Sequence, residues 1–427
     1  MNKRWIRSLL AGIATLGTFA PLASADRSTR PLVSPPLVEG SALDLDGRLD
    51  EGLWKGAQLV YPLVTIGAHE RPLGEPRVLV ARDDETLYVG FDVPLLSGAV
   101  SERQRGAERS LKEAMFREVE EGGTLRAEGR TSDSKEIGRD DHVEVYFAGG
   151  AIEKRWVHFM VNPRNARFDR LERDVSWNGR WESATSVAAD GSGWSAEFAI
   201  PLSHLVDRDD DGGGETLRMN ACVVRNFPSR QLLTWAHADE SFLETERYGS
   251  VRLDGDGPAV GSITWDEESL AVDVASAGGA ATATLRPIGG DEQASSETRG
   301  IEETVAFEPQ WRLASAEAVV LQLSSGDGSP MVRSVIPRAQ QPMLAMDLRK
   351  LSLAKRKLMV DVFASLTAGQ SLPELRVLLR DPSNAEVASA ERIMEDASAS
   401  FSFDTSGVTA GSLELSVEAM DPTTRRV

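Results

Sequence analysis

Short runs in which every second residue is apolar, separated by Gly, Asp and Pro, recur along most of this chain and constrain its fold class more than any motif does. Val143, Val145 and Phe147 alternate with Glu144 and Tyr146, and Trp156, His158 and Met160 alternate with Val157, Phe159 and Val161. A period of two belongs to a strand, because successive side chains leave the backbone on opposite faces. Leu79 and Ala81 are separated from Leu87, Val89 and Phe91 by Asp83-Asp84-Glu85, a hairpin-like turn. Phe198 and Ile200 run into Pro201, whose missing N–H ends regular pairing. Residues 217–225 and 231–236 supply two further strands. Many short strands with this punctuation predict an all-β chain built on an antiparallel β-sandwich.

The pattern is interrupted once and changes character once. Between Gly98 and Gly138 lies a highly charged insert in which Leu111, Ala114, Met115 and Val119 share one face at helical spacing. This predicts a short surface helix packed on the sandwich edge rather than a partner-binding helix. At residues 253–258 (LDGDGP) the composition changes, and aromatic residues thin out. Leu270, Val272 and Val274 begin a second β block, 259–338, and Leu375, Val377 and Leu379 belong to a third, 343–427. The third block closes on the alternation of residues 413–419 (LELSVEA), and its last sheet is left open to being incomplete. Both blocks suit immunoglobulin-like sandwiches of roughly 80–100 residues. The expected fold is therefore an antiparallel β-sandwich domain with a short helical insert, followed by one or two immunoglobulin-like domains. Residues 26–39, with Pro31, Pro35 and Pro36 and no periodicity, read as an extended linker.

The N-terminus predicts export. Lys3, Arg4 and Arg7 precede an apolar stretch at residues 9–19, and Ala23-Ser24-Ala25 is a small-residue cleavage site, so a signal peptide is expected to be cut after Ala25. That stretch is too short to span a bilayer, and no later segment is long and apolar enough to do so. A secreted or periplasmic protein follows. Loss of residues 1–25 removes three positive charges and no acids, taking the net charge from −19 to −22. Such acidity argues against nucleic acid as a partner, because the field repels phosphates, and is compatible with neutral glycans or cations. Cys222, the only cysteine, permits no intramolecular disulfide and no cysteine-based zinc site. In its apolar run it is expected to be a buried, inert thiol.

Five segments then occur in a telling order: residues 45–54 (LDGRLDEGLW), 78–93 (VLVARDDETLYVGFDV), 140–147 (DDHVEVYF), 193–205 (GWSAEFAIPLSHL) and 217–253, which ends in YGSVRL. In that order and at those intervals they resemble the family 9 carbohydrate-binding module, a secreted β-sandwich often appended to polysaccharide-degrading enzymes. The resemblance covers residues 40–254. It implies a non-catalytic domain that targets or adheres to polysaccharide alongside glycoside hydrolases. It also implies that Trp54, Trp194 and Trp235 are core residues. The family site holds a terminal sugar between two tryptophans, with charged and amide side chains on its hydroxyls. Carried over position by position, its carboxylate is kept as Glu144, while the first tryptophan falls on Gly138, an arginine on Met160 and a glutamine on Cys222. The second tryptophan becomes Phe242, and an asparagine becomes Asp239. With one wall missing, another aromatic is needed. Trp177, in the loop-like segment SWNGRW with Trp181, is the candidate substitute, Trp181 being the more structural of the two. The expected carbohydrate site is thus Glu144, Trp177, Phe242 and Asp239.

Two other chemistries have partial signatures. Asp207, Asp209 and Asp211 followed by Gly212 match the start of a calcium loop, with Glu215 close by, although the twelfth position is Arg218 rather than Glu. A calcium site and a solvated acidic loop are both open readings. His158 and Met160 project from one strand face, which raises haem ligation. Side chains two apart on one strand cannot take opposite axial positions, so a distant partner would be needed. Catalysis has no signature: no G-x-S-x-G elbow, HExxH helix or phosphate loop is present. A surface or scaffold protein whose sandwich has lost sugar binding is the remaining alternative.

Overall fold

A computed structural model describes residues 29–38, 44–72, 74–95, 125–129, 132–133, 136–149, 155–189, 191–206, 217–226, 230–265, 269–289, 296–309, 313, 316–337, 343–352, 357–365, 374–380, 385–393, 398–404 and 414–420. The leader at 1–25, the charged helix at 108–119 and the acidic loop with Asp207, Asp209, Asp211 and Glu215 lie outside these residues. The fold is all-β, as the alternation predicts. The chain divides into two compact units, one formed by residues 25–97 and 122–340, the other containing 341–427.

The first unit opens with β1 (Leu32–Val33), a single helical turn α1 (Gly52–Lys55), β2 (Gln58–Val60), β3 (Val64–Thr65), β4 (Arg77–Arg82) and β5 (Thr86–Pro94). It continues with β6 (His142–Ala148), β7 (Trp156–Val161), β8 (Arg167–Leu171), β9 (Glu182–Val187), β10 (Gly193–Pro201), β11 (Leu217–Arg225), β12 (Gln231–Thr234) and β13 (Gly249–Val251). Seven further strands follow: β14 (Ala259–Trp265), β15 (Leu270–Ser276), β16 (Ala280–Ile288), β17 (Glu297–Gly300), β18 (Thr304–Phe307), β19 (Ala318–Ser325) and β20 (Pro330–Pro337).

Two sheets form the sandwich. One is five-stranded, in the order β2-β4-β5-β10-β9; the facing one runs β13-β11-β6-β7-β8, with β12 on β11 and β3 on β12. Val143, Val145, Phe147, Phe159, Val89, Phe91, Trp194, Phe198 and Trp235 meet between them in one buried core. The second face of the five-stranded sheet is also covered. Leu79, Ala81 and Tyr88 pack with Leu53, Trp54, Leu270, Phe307 and Leu321 in a second core shared with the later strands. That is why residues 78–81 (VLVA) are apolar without interruption: neither face meets water.

The larger sheet does not stop at β13. β1 pairs in parallel with β13 and antiparallel with β20, so β13-β1-β20-β19-β16-β17 continues into the second block. Residues 31–38, read from sequence as a linker, therefore contribute a buried strand, Leu32 and Val33 both being core residues. The second unit has two three-stranded sheets: β21 (Met343–Ser352), β22 (Lys357–Ser365) and β25 (Ser398–Asp404), and β24 (Glu386–Ile393), β23 (Glu374–Arg380) and β26 (Glu414–Met420). Val360, Val362, Leu375, Val377, Phe401 and Phe403 fill its core.

Candidate functional site

The odd-numbered residues of β6 and β7 face the sandwich core, so their even-numbered neighbours form an outer face. Register sets the pairs there: Glu144 lies opposite Met160 and Cys222, and Tyr146 opposite His158 and Asn220. β8 adds Phe168 opposite Met160 and Arg170 opposite His158. Glu144 is at the centre, with its side chain only 7% exposed. A bare carboxylate there would be costly, and three polar groups close around it. His142 Nε2 is 2.9 Å from Oε1, His158 Nε2 is 2.6 Å from Oε2, and the Tyr146 hydroxyl donates to Oε2. Burial alone would raise the Glu144 carboxyl, but His158 and His142 outweigh it and hold the group well below the usual carboxylate range.

Each partner is fixed in turn. His142 Nδ1 lies 2.7 Å from the Asp140 carbonyl oxygen, which holds the ring in place from its other edge. His158 Nδ1 accepts from Arg170 Nε at 3.3 Å, which leaves its Nε2–H for Glu144. Burial pushes the His158 imidazole down, and Glu144 only partly restores it. The Tyr146 and His158 rings stack with centroids 4.1 Å apart, and the Arg170 guanidinium lies 4.7 Å from the Trp156 ring centroid. Trp156 and Phe242 remain half-buried, tilted against Tyr146 at 6.1 and 6.4 Å. The loop after β12 is tied down at Phe242, whose carbonyl accepts from Tyr248 Oη at 2.9 Å and from Asn220 Nδ2 at 3.4 Å.

The four residues expected from sequence are not all neighbours. Glu144 and Phe242 share the outer face through Tyr146. Asp239 sits in the loop with Phe242, held by Arg247 and by His69 Nε2 at 3.0 Å. In the same loop Glu244 accepts from the backbone N–H of Asp239, Glu240 and Ser241. Trp177 is on the other side of the sheet: it packs edge-on against Phe159, an inner-face residue, and against His204. The β6–β7 sheet therefore separates it from Glu144. Trp181 is buried, donating to Asp169 Oδ2 at 2.6 Å. Sequence reasoning did not single out Trp156, Tyr146, Arg170 or Asn220 as site residues, although the period-two alternation already placed Tyr146 on the face of Glu144.

Haem ligation finds no fit here. Both ring nitrogens of His158 are engaged, and Met160 is buried with Ile137, Ala166 and Phe168. Cys222 is a buried free thiol, as its apolar run predicts; burial and the Glu144 charge push it well up. Among the described residues no three His, Cys, Asp or Glu are placed to hold a metal, and no helix is long and apolar enough to cross a membrane.

No family model matches this chain, and no curated protein matches it. Among solved structures it is similar to a proposed carbohydrate-binding protein from Bacteroides uniformis, at 13% identity and a TM-score of 0.36, over 53% of this chain and 100% of that one. It is also similar to a tetra-tandem repeat in the extending region of a large adhesion protein, at 12% identity and a TM-score of 0.18, over 86% and 88% of the two chains. A third likeness is to the FN1–FN3 domains of chicken CNTN1, at 8% identity and a TM-score of 0.17, over 60% and 89%. These likenesses are loose and assign no ligand to this chain.

Proposed function

We propose that this is an exported, non-catalytic carbohydrate-binding protein, cut after Ala25, that targets or adheres to polysaccharide alongside glycoside hydrolases, with its sugar site on the outer face of β6, β7 and β8. One observation carries the reading: a buried polar network around Glu144 lies directly beside aromatic rings, Trp156 and Phe242, that stay half-open. Aromatic faces take the C–H surface of a pyranose, and fixed polar groups at their edge orient its hydroxyls. Phe242 and Asp239 form the loop side of this site. The resemblance to the family 9 module supports the same face through Glu144.

With Gly138 and Phe242 where the family has tryptophan walls, simple sugars should bind at the millimolar level, about −4 kcal/mol. A glycan array followed by calorimetric titration tests this. Phe242→Ala and Trp156→Ala should each abolish binding with little loss of stability; glycan binding indifferent to both would place the site elsewhere. A scaffold with a degenerate sugar site is the second reading, favoured by one feature: the Glu144 oxygens are already occupied by the chain's own donors. A protein that binds no glycan on the array fits that reading instead. A bound calcium ion at Asp207, Asp209, Asp211 and Glu215 belongs to the proposal on sequence pattern.

A further inference from the structure

Among the described residues, the outer face beside Glu144 holds a cation, Arg170, that a neutral sugar does not use. We infer that this site takes an acidic sugar, a carboxylated pyranose, and that Arg170 reads the carboxylate. The inference rests on the carbohydrate reading above and narrows its ligand.

Arg170 is fixed before any ligand arrives. It lies opposite His158 in the β7–β8 register, donates through Nε to His158 Nδ1 at 3.3 Å, and has its guanidinium carbon 4.7 Å from the Trp156 ring centroid. Its side-chain entropy is thus largely lost already, which lowers the cost of a further contact. The two terminal nitrogens donate to no described residue, and no carboxylate among the described residues pairs with the group. Glu144 does not serve, because the His158 ring stands between them and its oxygens are taken by His142, His158 and Tyr146.

Charge balance does not account for this vacancy. With 66 acidic residues against 47 basic ones, carboxylates are plentiful. Two arginines elsewhere in the domain have found them: Arg247 pairs with Asp239 and Glu244, and Arg252 with Asp254. A planar guanidinium with a free edge matches a carboxylate bidentately, and such a pair is stronger than a neutral hydrogen bond. The chain's own negative field opposes an anion at a distance. At physiological ionic strength it is screened beyond about 8 Å, so contact with Arg170 decides the outcome for a short oligomer.

The test is calorimetric titration of the full chain, at physiological salt, with tri-galacturonate and with its methyl ester. The acid should bind at least tenfold more tightly than the ester. Arg170→Gln should collapse that ratio toward one, and Arg170→Lys, which keeps the charge but not the fork, should leave an intermediate ratio. Equal binding of acid and ester by the unaltered chain overturns the inference while the carbohydrate reading stands. A ratio that survives in Arg170→Gln also overturns it. Because the unaltered chain gives the first comparison, a variant that fails to fold does not remove the test. Binding of neutral glycans with rejection of both trimers defeats the acidic-sugar inference alone, and binding of no glycan defeats both readings.

Discussion

Glu197 on β10 explains why two of the sequence segments travel together. It faces the second core, where its Oε1 accepts from Trp54 Nε1 at 2.9 Å and its Oε2 from Gly47 N at 2.7 Å. The LDGRLDEGLW segment is thereby closed on the GWSAEF strand through one carboxyl group. Gly90 leaves the space for it: a Cβ there would come within 2.9 Å of the Trp54 ring and 2.8 Å of Leu49. Burial pushes the Glu197 carboxyl up to about 7, with Trp54 and Gly47 opposing and Glu51 and Asp46 adding to it. A carboxyl raised in the folded state stabilises fully below its unfolded value, and that contribution is lost as pH rises through the folded one. His158 and His237, which burial pushes down, act in the opposite sense below the ordinary histidine range. The window in which Glu197 dominates is therefore about pH 6.5 to 8. Across it the melting temperature should fall, by roughly half a kcal/mol of stability after allowance for solvent screening. Glu197→Gln should flatten the profile; an unchanged slope in that variant would assign the effect to another group.

At the scale of elements, β1 and the segment around Gly257 bind the two β blocks into one unit. Leu37 N donates to Asp256 Oδ1 at 3.0 Å, Arg82 Nη2 to the Gly255 carbonyl at 2.7 Å, and Ser34 Oγ to the Met331 carbonyl at 2.8 Å. A Cβ on Gly257 would lie 1.7 Å from the Ser34 carbonyl oxygen, which is backbone and cannot turn aside. Gly257→Ala should therefore cost about 1–3 kcal/mol, read as a lower denaturant midpoint at unchanged slope. Gly261→Ala, which meets nothing within 4 Å, is the control and should be nearly silent. This junction was not legible in the sequence, because a strand of two residues carries no periodicity and its partners are far along the chain. Longer strands were legible through alternation, and so was the inner or outer face of each side chain on β6 and β7. Glu144 was found through the family resemblance, His142 and Tyr146 share its face by alternation along β6, and His158 joins them only through the β6–β7 register. Trp177 was placed wrongly with respect to Glu144 because loop residues have no parity that assigns them to a face. The acids of the DDHVEVYF segment show a further limit: Asp140 accepts from Glu128 N, Gly129 N and Asn162 Nδ2, and Asp141 from Arg126 N and Asn226 N. They tether loops, a role that spacing does not distinguish from binding.

At the scale of the whole molecule, cooperativity follows the hydrogen-bonded sheets. Within residues 32–337 one sheet runs through strands of both blocks and one core crosses them, whereas the strands of residues 343–420 have their own sheets and their own core. Scanning calorimetry of the full chain should accordingly show two transitions. The acidic loop expected to bind calcium lies between β10 and β11, both strands of the larger unit. An ion that binds only the folded state raises that state's stability by mass action, about 2.7 kcal/mol at a hundredfold excess over the dissociation constant. Millimolar calcium should therefore raise the transition of the larger unit and leave the other in place, chelator should reverse it, and Asp209→Ala or Asp211→Ala should abolish the response. If neither transition moves with calcium, the residues from Asp207 to Glu215 act as a solvated acidic loop. If both move together, the two units unfold as one, and the division drawn from their separate cores fails.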